Sequence, residues 1–369
     1  MNIVKAGDIL KIKTGRYDAN HGVADGKYTF FTCADIPSKA NTFSFDDEVL
    51  ILPGNGANVG NVYHYKGKLE AYQRTYVLYD IDAYPKFLYY YFSKYWIRQI
   101  TKRQVGSATN YIKMDDIVSF KIPLPPLTTQ KRIAQILDNA AALRDKTQQL
   151  LTEYDQLAQS IFLEMFGDPV INPKGWENES IDVISRKIQI GPFGSQLHQS
   201  DYKEFGYDLV NPTDINEGKI DLVNCRKIGV SKFDSLPNYH LEIGDLIMAR
   251  RGDLSKIAIV QNENLFCGTG SLYIRFNEQV NSMYAFYVLN HKSSISKLYE
   301  KARGITMANL NKKIIKEFKI PVPTLNLQNQ FAEKIGLIEQ QKALVKQELQ
   351  QTEDLFNCLL QKAFKGELV

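Results

Sequence analysis

The residues that most often do chemistry in proteins are scattered in this sequence and are not arranged to act together. Its five histidines form no pair at the spacing that metal ligands on one helix or strand require. Its four cysteines show neither the Cys-x-x-Cys pairs of a zinc site nor a disulfide framework. We therefore predict no metal centre and no disulfide, in a reducing environment. These residues are His21, His64, His198, His240 and His291, and Cys33, Cys225, Cys267 and Cys358.

Three short segments resemble catalytic motifs, but each lacks an essential part. Residues 54–60, Gly-Asn-Gly-Ala-Asn-Val-Gly, are glycine-rich, yet the Gly-Lys-Ser/Thr of a phosphate-binding loop does not follow. Residues 211–214, Asn-Pro-Thr-Asp, lack the aromatic residue with which DNA amino-methyltransferases stack on a flipped base. Glu317 and Lys319 have the Glu-x-Lys spacing of a nuclease metal site, but the matching Ser119 of the repeat described below has no carboxylate. No Ser/His/Asp or Cys/His arrangement is evident, so the sequence does not indicate an enzyme.

Length and composition indicate a globular protein with two domains. The chain has 369 residues, enough for two separate cores, and is 44% hydrophobic and 23% charged. Its net charge of +4 and pI of about 8.6 permit nucleic-acid binding without requiring it, because such binding needs a basic face. The first eight residues do not have a signal-peptide pattern, and no run of about 18 apolar residues is present to span a membrane. We expect a cytoplasmic protein.

An internal repeat is the strongest signal in the sequence. Phe-Lys-Ile-Pro-Leu-Pro at 120–125 recurs as Phe-Lys-Ile-Pro-Val-Pro at 318–323. Gln130 and Ala134 follow the first copy at the spacing at which Gln328 and Ala332 follow the second. Upstream, Gly106 and Ile117 match Gly304 and Ile315 in the same register. Weaker matches keep the same order, and their spacing predicts an insertion in the second copy around residues 216–243. They pair Gly15-Arg16-Tyr17 with Gly191-Pro192-Phe193, Ala34-Asp35-Ile36 with Thr213-Asp214-Ile215, and Asp47-Glu48-Val49-Leu50-Ile51 with Gly244-Asp245-Leu246-Ile247-Met248.

A long amphipathic helix is predicted after each proline motif. Apolar residues step by four and three alternately, which is the heptad pattern of a coiled-coil seam. Each predicted helix has roughly 38 residues, or about 57 Å at 1.5 Å per residue. A helix with one apolar stripe needs a partner, and we favour antiparallel packing of the two copies. The first stripe is Ile136, Ala140, Leu143, Thr147, Leu150, Tyr154, Leu157 and Ile161; the second is Phe331, Ile335, Ile338, Val345, Leu349, Phe356 and Leu359, interrupted by Lys342 and Thr352.

The rest of the chain predicts two mixed α/β globules, so the expected fold class is α+β with an internal pseudo-twofold repeat. Strands are expected at 9–13, 49–52 and 76–79, and helices at 85–100 and, in the second copy, at 283–299. The proline motifs are rigid and cannot donate to a β-ladder, so they end a strand and set the exit into each helix. The expected organisation is a first globule at 1–126, a first helix at 127–168, a second globule at 169–323 and a second helix at 324–369.

Two unequal globules separated by duplicated helices resemble the specificity subunits of type I restriction-modification systems. The resemblance covers essentially the whole chain and rests on the order and duplication of its motifs. These are the paired proline motifs before a Gln-x-x-Ile/Phe-Ala helix start, residues 191–195, residues 243–252, and the helix endings at 164–168 and 362–368. It implies that each globule is a target recognition domain, which reads one half of a split, asymmetric DNA site. It also implies that this chain performs no catalysis itself.

The resemblance implies the partners as well. They are double-stranded DNA, two modification subunits that bind S-adenosylmethionine and methylate adenine, and restriction subunits, with no cofactor in this chain and no membrane. The helices would act as a docking surface and as a ruler. A rod of about 57 Å covers about 17 base pairs at 3.4 Å each, an upper scale for the separation of the half-sites. Two different recognition surfaces imply a non-palindromic site.

DNA contacts are expected from basic, amide and hydroxyl side chains, because Lys and Arg bind phosphates while Arg, Lys, Asn, Gln and Ser read bases. For each residue the alternative is a solvated side chain without a role. Arg250 and Arg251 are the best candidates, because they leave a predicted strand into a turn where both guanidinium groups can face one groove. The candidates are Lys11, Lys13, Arg16, Tyr17, Asn20, His21, Lys27 and Arg74 in the first globule, and Gln189, Ser195, Gln196, His198, Lys203, Arg250, Arg251 and Lys256 in the second.

Three other functions remain open from the sequence. The chain could be an enzyme with its own methyltransferase or nuclease site, against which the missing motifs count. It could be a coiled-coil scaffold with two protein-binding domains, which would bind DNA without the salt dependence of phosphate contacts or not at all. It could also be the specificity subunit of a type II enzyme with fused cleavage and methylation.

Overall fold

A computed structural model describes residues 2–101, 110–194, 196–302 and 309–368. The chain divides into two compact units, of which unit 1 consists of residues 1–150 and 345–369 and unit 2 of residues 151–344. Each unit contains one globule of mixed helices and strands together with part of each of two long helices. The predicted α+β class, with two mixed globules and two long helices, is confirmed.

The globule of unit 1 is built on one six-stranded sheet. The strands of this unit are β1 Asn2–Lys5, β2 Lys11–Thr14, β3 Tyr28–Phe31, β4 Ser38–Ala40, β5 Phe45–Pro53, β6 Tyr63–Ala71, β7 Thr75–Tyr79 and β8 Lys121–Leu124. The sheet has the order β2-β7-β5-β6-β3-β4, and β1 pairs separately with β8. Strand β5 is buried on both faces, with Leu50 and Leu52 in one apolar cluster and Val49 and Ile51 in another. Burial on both faces explains the unbroken apolar run at 49–52.

Helices cover one face of this sheet. The helices that begin in unit 1 are α1 Pro85–Thr101, α2 Met114–Val118 and the long α3 Leu127–Phe166. Helix α1 packs Phe92 and Trp96 into the apolar cluster that holds Leu50 and Leu52. The helix predicted at 85–100 and the strands predicted at 9–13, 49–52 and 76–79 are confirmed as α1, β2, β5 and β7, although β2 begins two residues later than predicted, at Lys11.

The globule of unit 2 contains two larger sheets, of four and five strands. Its strands are β9 Asn178–Ser180, β10 Ser185–Ile190, β11 Tyr202–Lys203, β12 Tyr207–Val210, β13 Ile215–Asn216, β14 Lys219–Ile220, β15 Arg226–Ile228, β16 His240–Leu241, β17 Leu246–Ala249, β18 Ile257–Ile259, β19 Leu265–Cys267, β20 Ser271–Phe276 and β21 Lys319–Pro321. The sheets have the orders β10-β20-β17-β18 and β11-β15-β12-β19-β16, while β13 pairs with β14 and β9 with β21. Residues 216–243, where the sequence predicts an insertion, contribute β14, β15 and β16.

The helices of unit 2 differ from the prediction at one place. They are α4 Ile181–Ile184, α5 Val230–Ser235, α6 Ser282–Asn290, α7 Lys292–Lys301, α8 Lys312–Glu317 and the long α9 Leu325–Lys365. The single helix predicted at 283–299 is wrong, because the chain breaks into α6 and α7 at His291. The backbone of His291 is extended, with φ −68° and ψ 139°, and its side chain accepts a hydrogen bond from the backbone N–H of Ser293. His291 is therefore the N-cap of α7, a role that the helical periodicity of its neighbours conceals.

The long helices pack against each other in antiparallel order within each unit, as predicted. In unit 1, Leu137 of α3 shares an apolar cluster with Leu360 of α9, and the Arg144 guanidinium lies 4.9 Å from the centre of the Phe356 ring. In unit 2 the Lys342 ammonium lies 2.6 Å from the Asp155 carboxylate, and the rings of Phe162 and Phe331 are 5.7 Å apart. Within each unit, contacts farther along α3 are made with residues nearer the start of α9, so the two helices run antiparallel. The two helices have 40 and 41 residues.

The buried face of α3 is rotated relative to the predicted stripe. Ala140 and Thr147 are buried as predicted, but Leu143 and Leu157 are 44% and 46% exposed. Leu151 and Ala158, one residue later than the predicted Leu150 and Leu157, are buried instead. The reason is aromatic anchoring at the end of the helix, where Phe162 and Phe166 pack in the core of unit 2 with Tyr284 and Phe331. Apolar residues lie on both possible faces, so periodicity alone cannot choose between them.

The apolar stripe of α9 is confirmed, and its two interruptions have partners. Phe331, Ile335, Ile338 and Val345 are buried, and Leu349, Phe356 and Leu359 are half-buried. Lys342 lies in the stripe and forms ion pairs with Asp155 and Glu339. Thr352 is buried and its hydroxyl donates to the backbone carbonyl of Leu349, 2.8 Å away. Both polar groups are therefore satisfied inside the helix pair.

The glutamine that recurs after each proline motif has the same role in both units. The Gln130 amide accepts a hydrogen bond from the Tyr84 backbone N–H at 2.8 Å and donates to the Pro125 carbonyl at 2.7 Å. The Gln328 amide accepts from the Asn281 N–H at 2.9 Å and donates to the Pro323 carbonyl at 2.8 Å. Both glutamines are buried. Each ties the start of a long helix to the proline motif and to the segment that leads into α1 or α6.

Candidate nucleic-acid interface

In unit 1 four loops join at one place, which we call loop cluster 1 (residues 15–21, 31–34, 54–58 and 72–74). The Gly15 backbone N–H donates to the Thr75 carbonyl at 3.3 Å, and the Tyr72 N–H donates to the Phe31 carbonyl at 2.9 Å. The Gly54 N–H donates to the Arg74 carbonyl at 2.9 Å. Backbone bonds therefore hold the loops together, and their side chains are left to vary.

Unit 2 has the same arrangement in loop cluster 2 (residues 191–194, 196–198, 210–214, 250–254 and 268–270). The Gly191 N–H donates to the Ser271 carbonyl at 3.0 Å, and the Gly268 N–H donates to the Val210 carbonyl at 2.9 Å. The Arg250 N–H donates to the Gly270 carbonyl at 3.0 Å. Each bond has its counterpart in loop cluster 1.

Both clusters require a glycine at the same position, Gly15 in unit 1 and Gly191 in unit 2. A Cβ atom on Gly15 would lie 1.8 Å from the Ala71 carbonyl oxygen, and one on Gly191 would lie 1.9 Å from the Gly268 carbonyl oxygen. No side chain fits at such distances from backbone atoms. The match of Gly15-Arg16-Tyr17 with Gly191-Pro192-Phe193 in the sequence thus reflects a shared close approach of two backbone segments.

The two clusters carry different side chains at equivalent backbone positions. Asn55 forms an isolated β-bridge with Tyr111, and Arg251 forms the equivalent bridge with Asn309. The preceding carbonyls, of Gly54 and Arg250, accept from the Ile112 and Leu310 N–H groups at 3.0 and 2.8 Å. Asn55 in unit 1 therefore corresponds to Arg251 in unit 2.

This correspondence corrects the sequence match of 47–51 with 244–248 by one residue. Leu50 pairs with Leu78 in β7, and its counterpart Leu246 pairs with Ile274 in β20. The sequence match instead aligned Leu50 with Ile247. Because both strands are apolar on both faces, their composition does not reveal the register.

Five of the candidates in unit 1 lie in loop cluster 1. Arg16, Asn20 and Arg74 are exposed, and the rings of Tyr17 and His21 stack at 3.8 Å with an interplanar angle of 10°. The structure therefore brings residues from two separate stretches of the chain together at this place.

The three lysine candidates of unit 1 lie outside the cluster. Lys11 and Lys13 are exposed on β2. The Lys11 ammonium lies 2.6 Å from the Asp80 carboxylate, and this hydrogen bond raises the pKa of Lys11. Lys27 lies just before β3, with its ammonium 5.5 Å from the centre of the Tyr28 ring. The ion pair with Asp80 makes Lys11 less available to a phosphate than Lys13.

Several candidates in unit 2 are engaged within the protein. The Gln196 amide oxygen accepts from the Tyr239 hydroxyl at 2.7 Å, and the Gln189 amide donates to its neighbour's carbonyl at 2.9 Å. The Lys256 ammonium donates to the Ile215 carbonyl at 2.8 Å. His198 and Lys203 are exposed, and Ser195 lies outside the described residues. Gln196 is exposed as well, but its amide oxygen already accepts from the Tyr239 hydroxyl.

Arg250 and Arg251 do not present their guanidinium groups together. Arg251 is exposed, but Arg250 is only 4% exposed. The Arg250 guanidinium lies 5.1 Å from the centre of the Phe193 ring and donates to the Asn309 amide oxygen at 3.1 Å. Burial, and then the neighbouring Arg251, lower the pKa of Arg250. The expectation that both groups face one groove is therefore wrong for this structure, because Arg250 packs beneath Phe193.

Two further residues of the clusters, the half-buried Asn55 and the exposed Phe193, were not among the candidates. Asn55 could have been found by aligning the apolar strands in the correct register, in which it matches Arg251. Phe193 is 51% exposed, and its place after Gly191 was already visible in the repeat. An exposed aromatic ring supported by a buried guanidinium offers a flat surface for stacking.

In the described part of the chain, no group of three or more His, Cys, Asp or Glu side chains is placed to hold a metal ion. None of the described helices is long and apolar enough to cross a membrane.

The chain thus holds two globules that share one loop framework but carry different side chains, and each globule is joined to long helices. The chain matches the family model described as the type I restriction modification DNA specificity domain over residues 1–153 and 173–354. The chain belongs to this family. It is accordingly a specificity subunit, the non-catalytic subunit that recognises DNA for a type I restriction-modification system.

Individual relatives agree with this assignment. The chain is 27% identical to the type I restriction enzyme EcoDI specificity subunit of Escherichia coli, over 99% of this chain and 88% of that protein. It is 21% identical to the MjaVIII specificity subunit of Methanocaldococcus jannaschii, over 88% of this chain and 79% of that protein.

Solved structures agree in fold. The type I S subunit from M. genitalium superposes with a TM-score of 0.57 at 19% identity, covering 98% of this chain and 96% of that chain. A chain from a structure of type I complex assembly and conformational transition gives a TM-score of 0.61 at 16% identity, covering 100% and 98%.

Proposed function

We propose that loop cluster 1 and loop cluster 2 each bind one half of a bipartite double-stranded DNA site. The observation that carries the proposal is the shared backbone framework with different side chains at equivalent positions, Asn55 and Arg251. Asn pairs in bidentate fashion with adenine and Arg with guanine in the major groove. Equivalent positions would then read different bases, and the whole site would be asymmetric.

Exposed cations around the clusters support contacts with phosphates. In unit 1, Arg16 and Arg74 are exposed and form no ion pair with any described residue. In unit 2 the same is true of Arg251 and Lys203. Such side chains can neutralise DNA phosphates without first losing an acidic partner within the protein. The remaining candidates, including His198, Lys13 and Lys27, would contribute at the edges of the two contacts.

The long helices are proposed to dock the partner subunits. Leu143 and Leu157, fourteen residues apart on α3, are exposed, and so are Leu337 and Leu344, seven residues apart on α9. Apolar residues exposed at heptad spacing indicate a second face that another protein can cover. The proposed partners are two modification subunits, which would supply S-adenosylmethionine, and restriction subunits. Binding to chromosomal DNA would require a cytoplasmic location.

In this proposal the recognition domains are residues 1–126 and 169–323, and the docking helices are residues 127–168 and 324–369. The chain purified with its modification subunits should methylate one bipartite site, which methylome sequencing of a host that carries the gene would identify. Asn55→Ala should relax one half-site only, and Arg251→Ala the other half-site only.

Lys121→Ala and Lys319→Ala are matched controls, because these exposed lysines occupy equivalent positions in β8 and β21, outside the loop clusters. They should leave both half-sites unchanged. A methylation pattern that responds equally to the four variants, or in which Asn55→Ala alters both half-sites, would contradict the proposal.

A further inference from the structure

We infer that His21 presents Nδ1 as a fixed hydrogen-bond acceptor to an amino group of a DNA base, and so helps to determine specificity. The inference rests on the proposed binding of DNA by loop cluster 1. A buried carboxylate is linked through one hydroxyl group to the imidazole ring of His21.

The carboxylate belongs to Glu70, which is fully buried near the end of β6. Glu70 forms no ion pair with any residue in the described ranges. Its oxygens accept instead from the Thr42 hydroxyl at 3.3 Å, the Ser44 hydroxyl at 3.0 Å and the Ala71 backbone N–H at 3.0 Å. A buried carboxylate without a cation depends on such donors, because each donor that is lost leaves desolvated charge uncompensated.

Because Glu70 needs hydrogen-bond donors, it determines the direction of the hydrogen bond between Thr42 and His21. A threonine hydroxyl has one proton, and that of Thr42 is donated to Glu70. The oxygen of Thr42 must therefore act as the acceptor toward His21, whose Nε2 lies 2.8 Å away. If Thr42 donated to His21 instead, its oxygen would face the Glu70 carboxylate without a proton between them. His21 therefore carries its proton on Nε2.

Aromatic contacts hold the ring in this orientation. Tyr17 stacks on one face of His21 at 3.8 Å, and Phe30 meets it edge-on at 5.8 Å with an interplanar angle of 87°. In a neutral imidazole with a proton on Nε2, Nδ1 is an acceptor. Nδ1 of His21 has no hydrogen-bond partner among the described residues.

An acceptor fixed in this way selects its ligand. It repels phosphate oxygens, which are also acceptors, so it adds nothing to non-specific affinity. In the major groove its partners are the N6 amino group of adenine and the N4 amino group of cytosine. We therefore expect His21 to affect discrimination between bases more than overall binding.

The test compares His21→Asn with His21→Gln in the complex with modification subunits. Asparagine places its amide near the position of Nδ1, whereas glutamine reaches the position of Nε2. Binding is measured at pH 8 to the methylated site identified for the complex, and to duplexes in which single adenines or cytosines of the half-site read by unit 1 lack their exocyclic amino group.

One position is expected at which loss of the amino group weakens binding by the wild type about 10-fold, the scale of one base contact. His21→Gln should bind unmodified DNA about 10-fold more weakly than the wild type does, and removal of the amino group should not weaken its binding further. His21→Asn should retain most of the affinity and most of the discrimination between the two duplexes. His64→Gln is the matched control, because His64 lies on β6 and bonds to Glu48 at 2.9 Å. It should behave as the wild type does.

The inference is overturned if no amino group is coupled to His21, or if His21→Gln retains discrimination and His21→Asn loses it. Those outcomes leave the proposed function intact as long as Asn55→Ala and Arg251→Ala still relax their half-sites. If those two variants have no effect on recognition, the proposed function itself fails. Unfolding temperatures of all variants separate a contact with DNA from a loss of folding.

Discussion

The backbone of loop cluster 2 passes so close to itself at Gly191 that a methyl group has no room. A Cβ atom there would lie 1.9 Å from a backbone carbonyl oxygen, whereas at Gly194, three residues later, nothing lies within 4 Å of one. Backbone atoms cannot rotate away as the end of a flexible side chain can. The loop must therefore shift if any other residue replaces Gly191, and Arg250 and Phe193 would shift with it.

We expect Gly191→Ala to destabilise unit 2 by about 1–3 kcal/mol, the usual cost of overpacking, and to weaken recognition of the half-site read by unit 2. Gly194→Ala is the matched control and should change neither property. Thermal unfolding and binding to site DNA measure the two effects. Equal behaviour of the two variants would show that the cluster tolerates movement and does not position its side chains rigidly.

Helices α6 and α7 depend on His291, which is 6% exposed at the break between them. Burial lowers the pKa of His291 from 6.5, against the opposing effect of the Asp168 carboxylate 3.8 Å away, and Lys292 lowers it further. The unfolded chain then binds a proton more readily than the folded chain does. Stability from the neutral imidazole is therefore complete above about pH 6.5 and is lost as the pH falls below that value.

We expect the unfolding temperature of unit 2 to fall between pH 7.5 and pH 5.5, and to fall less in His291→Asn. Asparagine keeps the N-cap of α7 and does not titrate. Burial alone would raise the pKa of Asp168, but hydrogen bonds from the Ile171 and Val170 N–H groups outweigh it and lower that pKa from 3.8, so Asp168 remains ionised over this range. Calorimetry at the two pH values measures the difference. The same pH dependence in both proteins would assign the acid sensitivity to another group.

At the scale of the whole molecule, each unit combines a loop cluster with a segment of paired helices. Binding to DNA through phosphate contacts should weaken linearly in log affinity with log salt concentration. A scaffold that binds only proteins would show no such slope. The slope therefore distinguishes the proposed function from the scaffold alternative that the sequence leaves open.

We expect Arg16→Gln and Arg74→Gln each to reduce the magnitude of this slope by about 1 in the complex with modification subunits. Lys121→Gln should leave it unchanged. The slope is measured by titrating site DNA at salt concentrations between 50 and 200 mM. Over this range about six phosphate contacts would already change the affinity strongly. Unchanged slopes in both arginine variants would show that loop cluster 1 does not contact DNA phosphates.

The sequence by itself determined the repeat, the two long helices and the proline motifs that precede them. These are local properties, since helical periodicity and the lack of an N–H on proline act within a few residues. The recurring Gln130 and Gln328, and the recurring Gly15 and Gly191, also appeared as matches, because each pair meets the same backbone requirement in both units.

Only the tertiary structure decided which faces and charges are buried. The seam of α3 follows Leu151 and not Leu150 because aromatic residues distant in the sequence set the rotation of the helix. Arg250 is buried and Arg251 exposed because Phe193, nearly sixty residues earlier in the chain, covers one of two adjacent guanidinium groups. The proton position on His21 depends on Glu70, which lies far along the chain. Neighbours of this kind are set by packing, which no local pattern records.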